Sequence, residues 1–269
     1  MPWVTRGLRE GIVTTPYPRR PDGYGEGFRG AITVVEPSSG SGQDERDAAG
    51  LALLCPTGAI LVGDGSAAGV RVDRGRCIVC GRCVAARPDL FSFTSDTEVA
   101  GVSRRHLVVP PAPGGDEDVE AVRADLSRRV RALRRSIHIR HVDGGSDGAE
   151  EAEISALTGP IYDIQRLGMF FTATPRHADI LLVSGVATAG MAAELRRTFE
   201  AMPDPKVVVA AGTDAVSGGL VGGSYASGAG IDSVLPVDVF VPGSPPNPFS
   251  LLHGLLLAVG ILPVPEVPR

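Results

Sequence analysis

Two kinds of apolar spacing divide the chain. ADILLVSGVA, from Ala178, and KVVVAAGT, from Lys206, are short β-branched runs that end in glycine and small polar residues. Between them GMAAELRRTFEAM has helical spacing. Strand, helix and strand, with loops at the strand carboxyl ends, predict a parallel α/β sheet. Sites in such sheets form outside those ends, so chemistry is expected in the loops after Gly185, Gly212 and Pro242. Upstream, DVEAVRADLSRRVRALRRS sets Val119, Val122, Leu126, Val130 and Leu133 three or four residues apart. That spacing predicts an amphipathic helix with a basic outer face, for which solvation is a simpler account than an acidic partner. PFSLLHGLLLAVGILPV, near the C-terminus, is interrupted by His253 and Gly254. It is shorter than the about 20 apolar residues of a spanning helix, and predicts a buried core helix.

The N-terminal part is less periodic. Residues 1–40 are rich in Gly, Pro and Arg and read as an extended arm. Two short half-units follow between Leu51 and Phe93, and HLVVPPAPGGDED, from His106 to Asp118, has the composition of a linker. The length of 269 residues and the 43% hydrophobic content allow one or two domains with a real core. The net charge of −5, without one long basic stripe, argues against nucleic acid as a partner. No apolar segment with a small-residue cleavage site opens the sequence, so the chain reads as soluble and cytoplasmic. The glycine-rich run from Gly218 to Gly230 lacks G-x-x-x-x-G-K-[ST], which speaks against a phosphate loop.

All four cysteines fall within 55–83. Cys77, Cys80 and Cys83 form C-x2-C-x2-C, and Cys55 is followed by Pro56. In the bacterial ferredoxin pattern C-x2-C-x2-C-x3-C-P, the fourth cysteine ligates the other cluster. Cys55 is thus the crossing ligand that completes a single [4Fe-4S] site with the other three. Zinc more usually takes two separated C-x2-C pairs, and disulfides are disfavoured in a cytoplasmic chain. At the same spacing, the ligand places of a second cluster hold Glu45, Ala48, Leu51 and Arg87. The segment reads as a two-cluster ferredoxin domain that keeps one site.

The arm LREGIVTTPYPRRPDGYGEGFRG resembles the ferredoxin-like subunit of formate hydrogenlyase and its relatives. SIHIRHVDGGSDGAEEAEISALTGPIYDIQRLG, TPRHADILLVSG, MPDPKVVVAAGTDAVSGG and LPVDVFVPGSPPNP resemble the small subunit of membrane-bound group 4 [NiFe] hydrogenases. That subunit is homologous to the B-type subunit of respiratory complex I, and the likeness runs from about Ser136 to Leu262. The chain looks like two neighbouring subunits joined end to end. The resemblance implies that a [4Fe-4S] cluster once lay in the second half, on C-x-G-C-E, G-S-C-A and V-P-G-C-P-P loops. Those places hold Asp147, Glu150, Asp214 and Ser244 here, while Gly145, Glu151, Gly212, Pro242, Gly243, Pro245 and Pro246 keep the frame. Three carboxylates and a hydroxyl are a hard oxygen set, poorly suited to iron–sulfur chemistry. If they converge with Glu151, they hold protons, water or a divalent ion, or simply fill a lost site with hydrogen bonds.

The expected fold is an α+β ferredoxin-like domain (41–105) after an arm (1–40), then a linker (106–118) and a flavodoxin-like α/β domain with a parallel sheet (119–269). The resemblance implies an iron–sulfur electron-transfer subunit, not an enzyme alone, in a hydrogenase-related, complex I-like membrane complex. Its expected partners are a large-subunit homologue and membrane proton-channel-type subunits, and it would sit peripherally on the cytoplasmic face without spanning the membrane. The alternative is a non-redox coupling subunit that links a large-subunit relative to ion-translocating subunits.

Overall fold

The computed structural model describes residues 2–20, 27–35, 45–63, 69–111, 116–131 and 136–262. The N-terminal elements are α1 (Pro2–Glu10), β1 (Ala31–Val34), α2 (Glu45–Leu54), β2 (Ile60–Val62), β3 (Val70–Asp73), α3 (Arg82–Ala86), β4 (Phe91–Thr94) and β5 (Val108–Val109). β1 pairs antiparallel with β4, and β2, β3 and β5 form a second antiparallel sheet. Ile32, Leu51, Ile60, Val72 and Phe91 close a small core between them. The stretch that reads as an arm therefore contributes α1 and β1. The stretch from His106 that reads as a linker opens by laying Val108 and Val109 against β3.

The C-terminal elements are α4 (Asp116–Val130), β6 (Ile137–Asp143), α5 (Ala149–Ala156), β7 (Met169–Phe171), β8 (Ile180–Ser184), α6 (Ala192–Glu200), β9 (Val207–Ala211), α7 (Thr213–Ser217), β10 (Val239–Val241) and α8 (Pro248–Ala258). The sheet is wholly parallel, in the order β10-β9-β8-β6-β7. Every residue of β8, β9 and β10 is buried, because helices cover both faces. One face packs against α8 and against Leu126 and Val130 of α4; the other packs against Leu195 of α6 and Val216 of α7. Within the apolar stripe of α4, Val122 is exposed whereas Leu126 and Val130 are buried. α8 starts at Pro248, with Asn247 as N-cap accepting from the Ser250 amide, and all but one of its residues are buried. No helix among the described residues is long and apolar enough to cross a membrane.

The two halves are tied at the β10 edge. Gly101 and Phe240 exchange backbone hydrogen bonds of 3.0 and 2.8 Å. Ser250 donates to the Thr97 carbonyl, and the Ala100 amide donates to Nδ1 of the buried His253. Arg104 reaches Asp73 on one side and the Val216 carbonyl on the other. The arm also holds the C-terminal half: the Thr15 amide donates to Ile161, and the Tyr17 ring meets Phe249 edge-on.

Gly254 sits where α8 presses on β10, and a Cβ there would stand 2.3 Å from Val241 Cγ2. Alanine would improve helix propensity by up to about 1 kcal/mol, but overpacking a closed core costs about 1–3 kcal/mol. Gly254→Ala is expected to lower the melting temperature; a rise would show that the helix moves freely on the sheet.

Candidate functional site

Cys55 follows α2, Cys77 and Cys80 lie in the loop between β3 and α3, and Cys83 is in the first turn of α3. All four are free thiols and line one pocket walled by apolar side chains that include Ile32, Leu54, Ile60 and Val72. The loop doubles back through left-handed backbone at Val79 and Gly81. A Cβ on Gly81 would lie 2.7 Å from the Phe93 ring, so glycine is required there on two counts. The Ala59 amide donates to Cys55 Sγ at 3.2 Å and the Val79 amide to Cys77 Sγ at 3.4 Å.

Burial pushes the Cys55 thiol up, but hydrogen bonds from Thr57, Ala59 and Ile60 outweigh it and leave the thiol below its ordinary value. Cys77 is pushed up to about 12, by burial first and then, against its amide donor, by the nearness of Cys55, Cys83 and Cys80. Burial likewise raises Cys83. Four crowded thiolates in an apolar pocket are unfavourable unless a soft cationic centre compensates them. Among the described residues, no three His, Cys, Asp or Glu side chains are gathered tightly enough to hold a single metal ion. A cubane spreads its thiolates over four corners and needs a wider set than one ion does. The thiolate donors, the amide hydrogen bonds to sulfur and the apolar walls fit such a cluster. Of the places expected for a second ferredoxin cluster, Leu51 is buried in the small core and Arg87 is ion-paired with Asp89 at 2.7 Å.

The second group of residues stands at the carboxyl ends of the parallel strands. Asp147 lies in the loop ahead of α5, Glu150 in the first turn of α5, and Asp214 in α7. Glu150 is 2% exposed, and its Oε2 has no hydrogen-bond partner among the described residues. Its carboxyl lies against Gly212, where a Cβ would stand 2.6 Å from Oε1. Asp214 is seated in the same way against Gly219, with a Cβ there only 1.8 Å from Oδ1. Burial, and then the charges of Asp214, Asp147 and Glu151, raise Glu150 from its ordinary 4.5 to about 7. Burial and Asp147 raise Asp214.

Glu151 does not share this pocket's chemistry as expected. It accepts from Ser146 at 2.6 Å and from Ser184, whose hydroxyl lies 3.0 Å from His141 Nε2. Ser244 is exposed and makes none of the described contacts with the carboxylates. The charges of Asp147, Glu150 and Asp214 thus act on one another, while Glu151 is held by Ser146 and Ser184.

Sequence reasoning missed Thr213. Its hydroxyl donates to the Cys77 carbonyl at 3.1 Å and accepts from the Gly243 amide at 3.3 Å, and its amide donates to the Gly243 carbonyl. Cys77 and Val79 also line one cavity together with Pro242 and Gly243. The cysteine site is therefore built onto two strand-end loops, the one after β9, which leads into Asp214, and the one after β10. The only signal in the sequence was the position of Thr213 in a loop already marked by Gly212.

Comparison with known proteins bears on both halves. Residues 148–258 match the family described as NADH ubiquinone oxidoreductase, 20 Kd subunit, and residues 70–125 match a 4Fe-4S single cluster domain. The chain is 40% identical over 134 residues to "Probable membrane-bound hydrogenase subunit mbhJ" of Pyrococcus furiosus, covering 50% of this chain and 80% of that protein. The chain belongs to the 20 kDa subunit family of NADH ubiquinone oxidoreductase and membrane-bound hydrogenases. Another relative in this family is "Formate hydrogenlyase subunit 7" of Escherichia coli, 37% identical over 147 residues, or 55% of this chain and 56% of that protein. The chain thus spans little more than half the length of that relative. Among solved structures, it is similar to a chain of the membrane-bound sulfane sulfur reductase, an archaeal respiratory membrane complex, with 28% identity and a TM-score of 0.42, over 49% of this chain and 75% of that one. The relatives are subunits of hydrogenase-related membrane complexes, and this family member carries an iron–sulfur-type domain ahead of its parallel sheet.

Glu150 binds its proton more tightly folded than unfolded, so its contribution to stability is full below its ordinary value of 4.5 and is lost as pH rises through about 7. Glu150→Gln mimics the protonated form. It is expected to stabilise the protein at pH 8, by about 1–3 kcal/mol, and to change little at pH 5. Urea denaturation at both pH values checks this, and equal effects at both would refute the buried-acid assignment.

Proposed function

We propose that this chain is an iron–sulfur electron-transfer subunit of a hydrogenase-related, complex I-like membrane oxidoreductase. The observation that carries the reading is the convergence of Cys55, Cys77, Cys80 and Cys83 on one apolar-walled pocket beside the strand-end loops. These four would hold one [4Fe-4S] cluster, which when bound supplies a one-electron carrier. The protein's part is to wall off water and to donate amide hydrogen bonds to Cys55 and Cys77. The 41–105 segment is assigned as ferredoxin-like and the 119–269 segment as flavodoxin-like. The latter docks on a large-subunit homologue, next to membrane proton-channel-type subunits on the cytoplasmic face.

Asp147, Glu150, Asp214 and Ser244 do not fit a second cluster, because a set of oxygen donors is hard and iron–sulfur clusters are soft. That loss favours a second reading, in which the parallel-sheet half is a coupling connector without redox chemistry of its own. Iron and acid-labile sulfide, measured on anaerobically purified chain, decide between them. About four irons per chain, with one cubane signal on reduction that Cys80→Ser abolishes, are expected. About eight irons would restore a cluster to the second site, and a chain that purifies without iron would leave only the connector role.

A further inference from the structure

Glu150 is a costly residue to bury. It is 2% exposed, its Oε2 has no hydrogen-bond partner among the described residues, and the charges of Asp214 and Asp147 act on it. A carboxylate there is destabilised by desolvation and by like charges. Glycine at 212 and at 219 nonetheless makes the space that seats Glu150 and Asp214. The cluster is graded in exposure, from solvent-facing Asp147 through half-buried Asp214 to buried Glu150. It also adjoins the cysteine pocket. Gly212 touches the Glu150 carboxyl, and the next residue, Thr213, bonds the carbonyl of Cys77. Ala211, Ala215 and Val216, beside Gly212 and Thr213 in the chain, are fully buried, so charges in this region are poorly screened by solvent.

We propose that Glu150 is a proton-binding site coupled to the cysteine-held centre: when that centre takes one electron, the Glu150 carboxylate takes one proton from solvent by way of Asp147 and Asp214. The electron comes from an external one-electron donor. The proton forms the Glu150 O–H bond, so the net charge of the buried region is unchanged, and oxidation returns both. The charges that act on Glu150 are those of Asp214 on α7, Asp147 in the preceding loop and Glu151, which neighbours it on the helix but is held by Ser146 and Ser184. All are acids, and each resists a further negative charge nearby. Coupling of this kind is reciprocal: reduction raises the proton affinity of Glu150, and protonation raises the potential of the centre. A site that relatives use for an electron carrier would here carry the compensating proton.

This inference rests on the cluster assignment made under Proposed function, and the experiment separates the two. Iron and sulfide are first measured on the full chain. The midpoint potential is then followed by EPR, with dithionite as reductant, from pH 5.5 to 8.5. The potential is expected to fall as pH rises through the neutral range. Glu150→Gln should abolish that dependence with iron content and EPR line shape unchanged, while Glu200→Gln, an exposed acid on α6, should keep it. A pH-independent potential in the wild-type chain, or an unchanged slope in Glu150→Gln, would overturn the coupling while leaving the cluster in place. A chain without iron would instead sink the cluster assignment and the coupling with it. Should Glu150→Gln not fold, the reduced-minus-oxidised infrared spectrum of wild-type protein decides. A carboxylic-acid carbonyl band that appears on reduction and shifts with 13C-labelled glutamate supports the proposal, and its absence overturns it.

Discussion

The hydroxyl of Thr213 joins the two halves of this molecule where their chemistry meets. It donates to the Cys77 carbonyl and accepts from the Gly243 amide, so a cysteine loop, the turn after β9 and the loop after β10 share one hydrogen-bonded junction. The Gly101–Phe240 bridge and the Arg104 link from Asp73 to Val216 hold the same face together from further out. Without that junction the cysteine pocket would be a site on a separate small domain. With it, the pocket becomes an extension of the strand-end face of the parallel sheet, the place where such sheets keep their function.

The two sites on that face follow opposite chemical logic. The cysteine pocket crowds soft, negatively charged donors in apolar surroundings and directs amide hydrogen bonds at sulfur, so it is complete only with a soft polyvalent cation centre. The carboxylate group crowds hard donors without bringing enough of them together for a metal ion, so protons are the natural counter-charge. The same backbone frame serves both purposes. Gly212, which the resemblance marks as part of a cluster-binding loop, now leaves room for the Glu150 carboxyl.

The neighbouring serine network is a different arrangement. Glu151 is paired with Ser146 and Ser184, and Ser184 lies beside His141, whose burial keeps it below its ordinary proton affinity despite Glu151 and Asp143. Glu150 and Glu151 are adjacent in sequence, yet one is fully satisfied and the other is not. On a helix, successive side chains point about 100° apart, so the two carboxyls meet different surroundings.

The sequence by itself determined the local chemistry. The C-x2-C-x2-C run with its remote Cys-Pro identified the soft site, because ligand spacing is a property of the backbone. The β-branched runs at Ala178 and Lys206 identified buried parallel strands, because a strand covered on both faces must be apolar throughout. Frame residues around Asp147, Glu150, Asp214 and Ser244 carry the resemblance to loops that hold a cluster in related subunits. Only the tertiary structure decided that Glu150 is buried while Ser244 is exposed, that Glu151 is held by Ser146 and Ser184, and that the arm and presumed linker supply α1, β1 and β5. It alone placed Cys77 on Thr213. These outcomes depend on how loops distant in sequence pack at the ends of the strands, and side-chain spacing along one segment carries no record of what another segment brings to meet it.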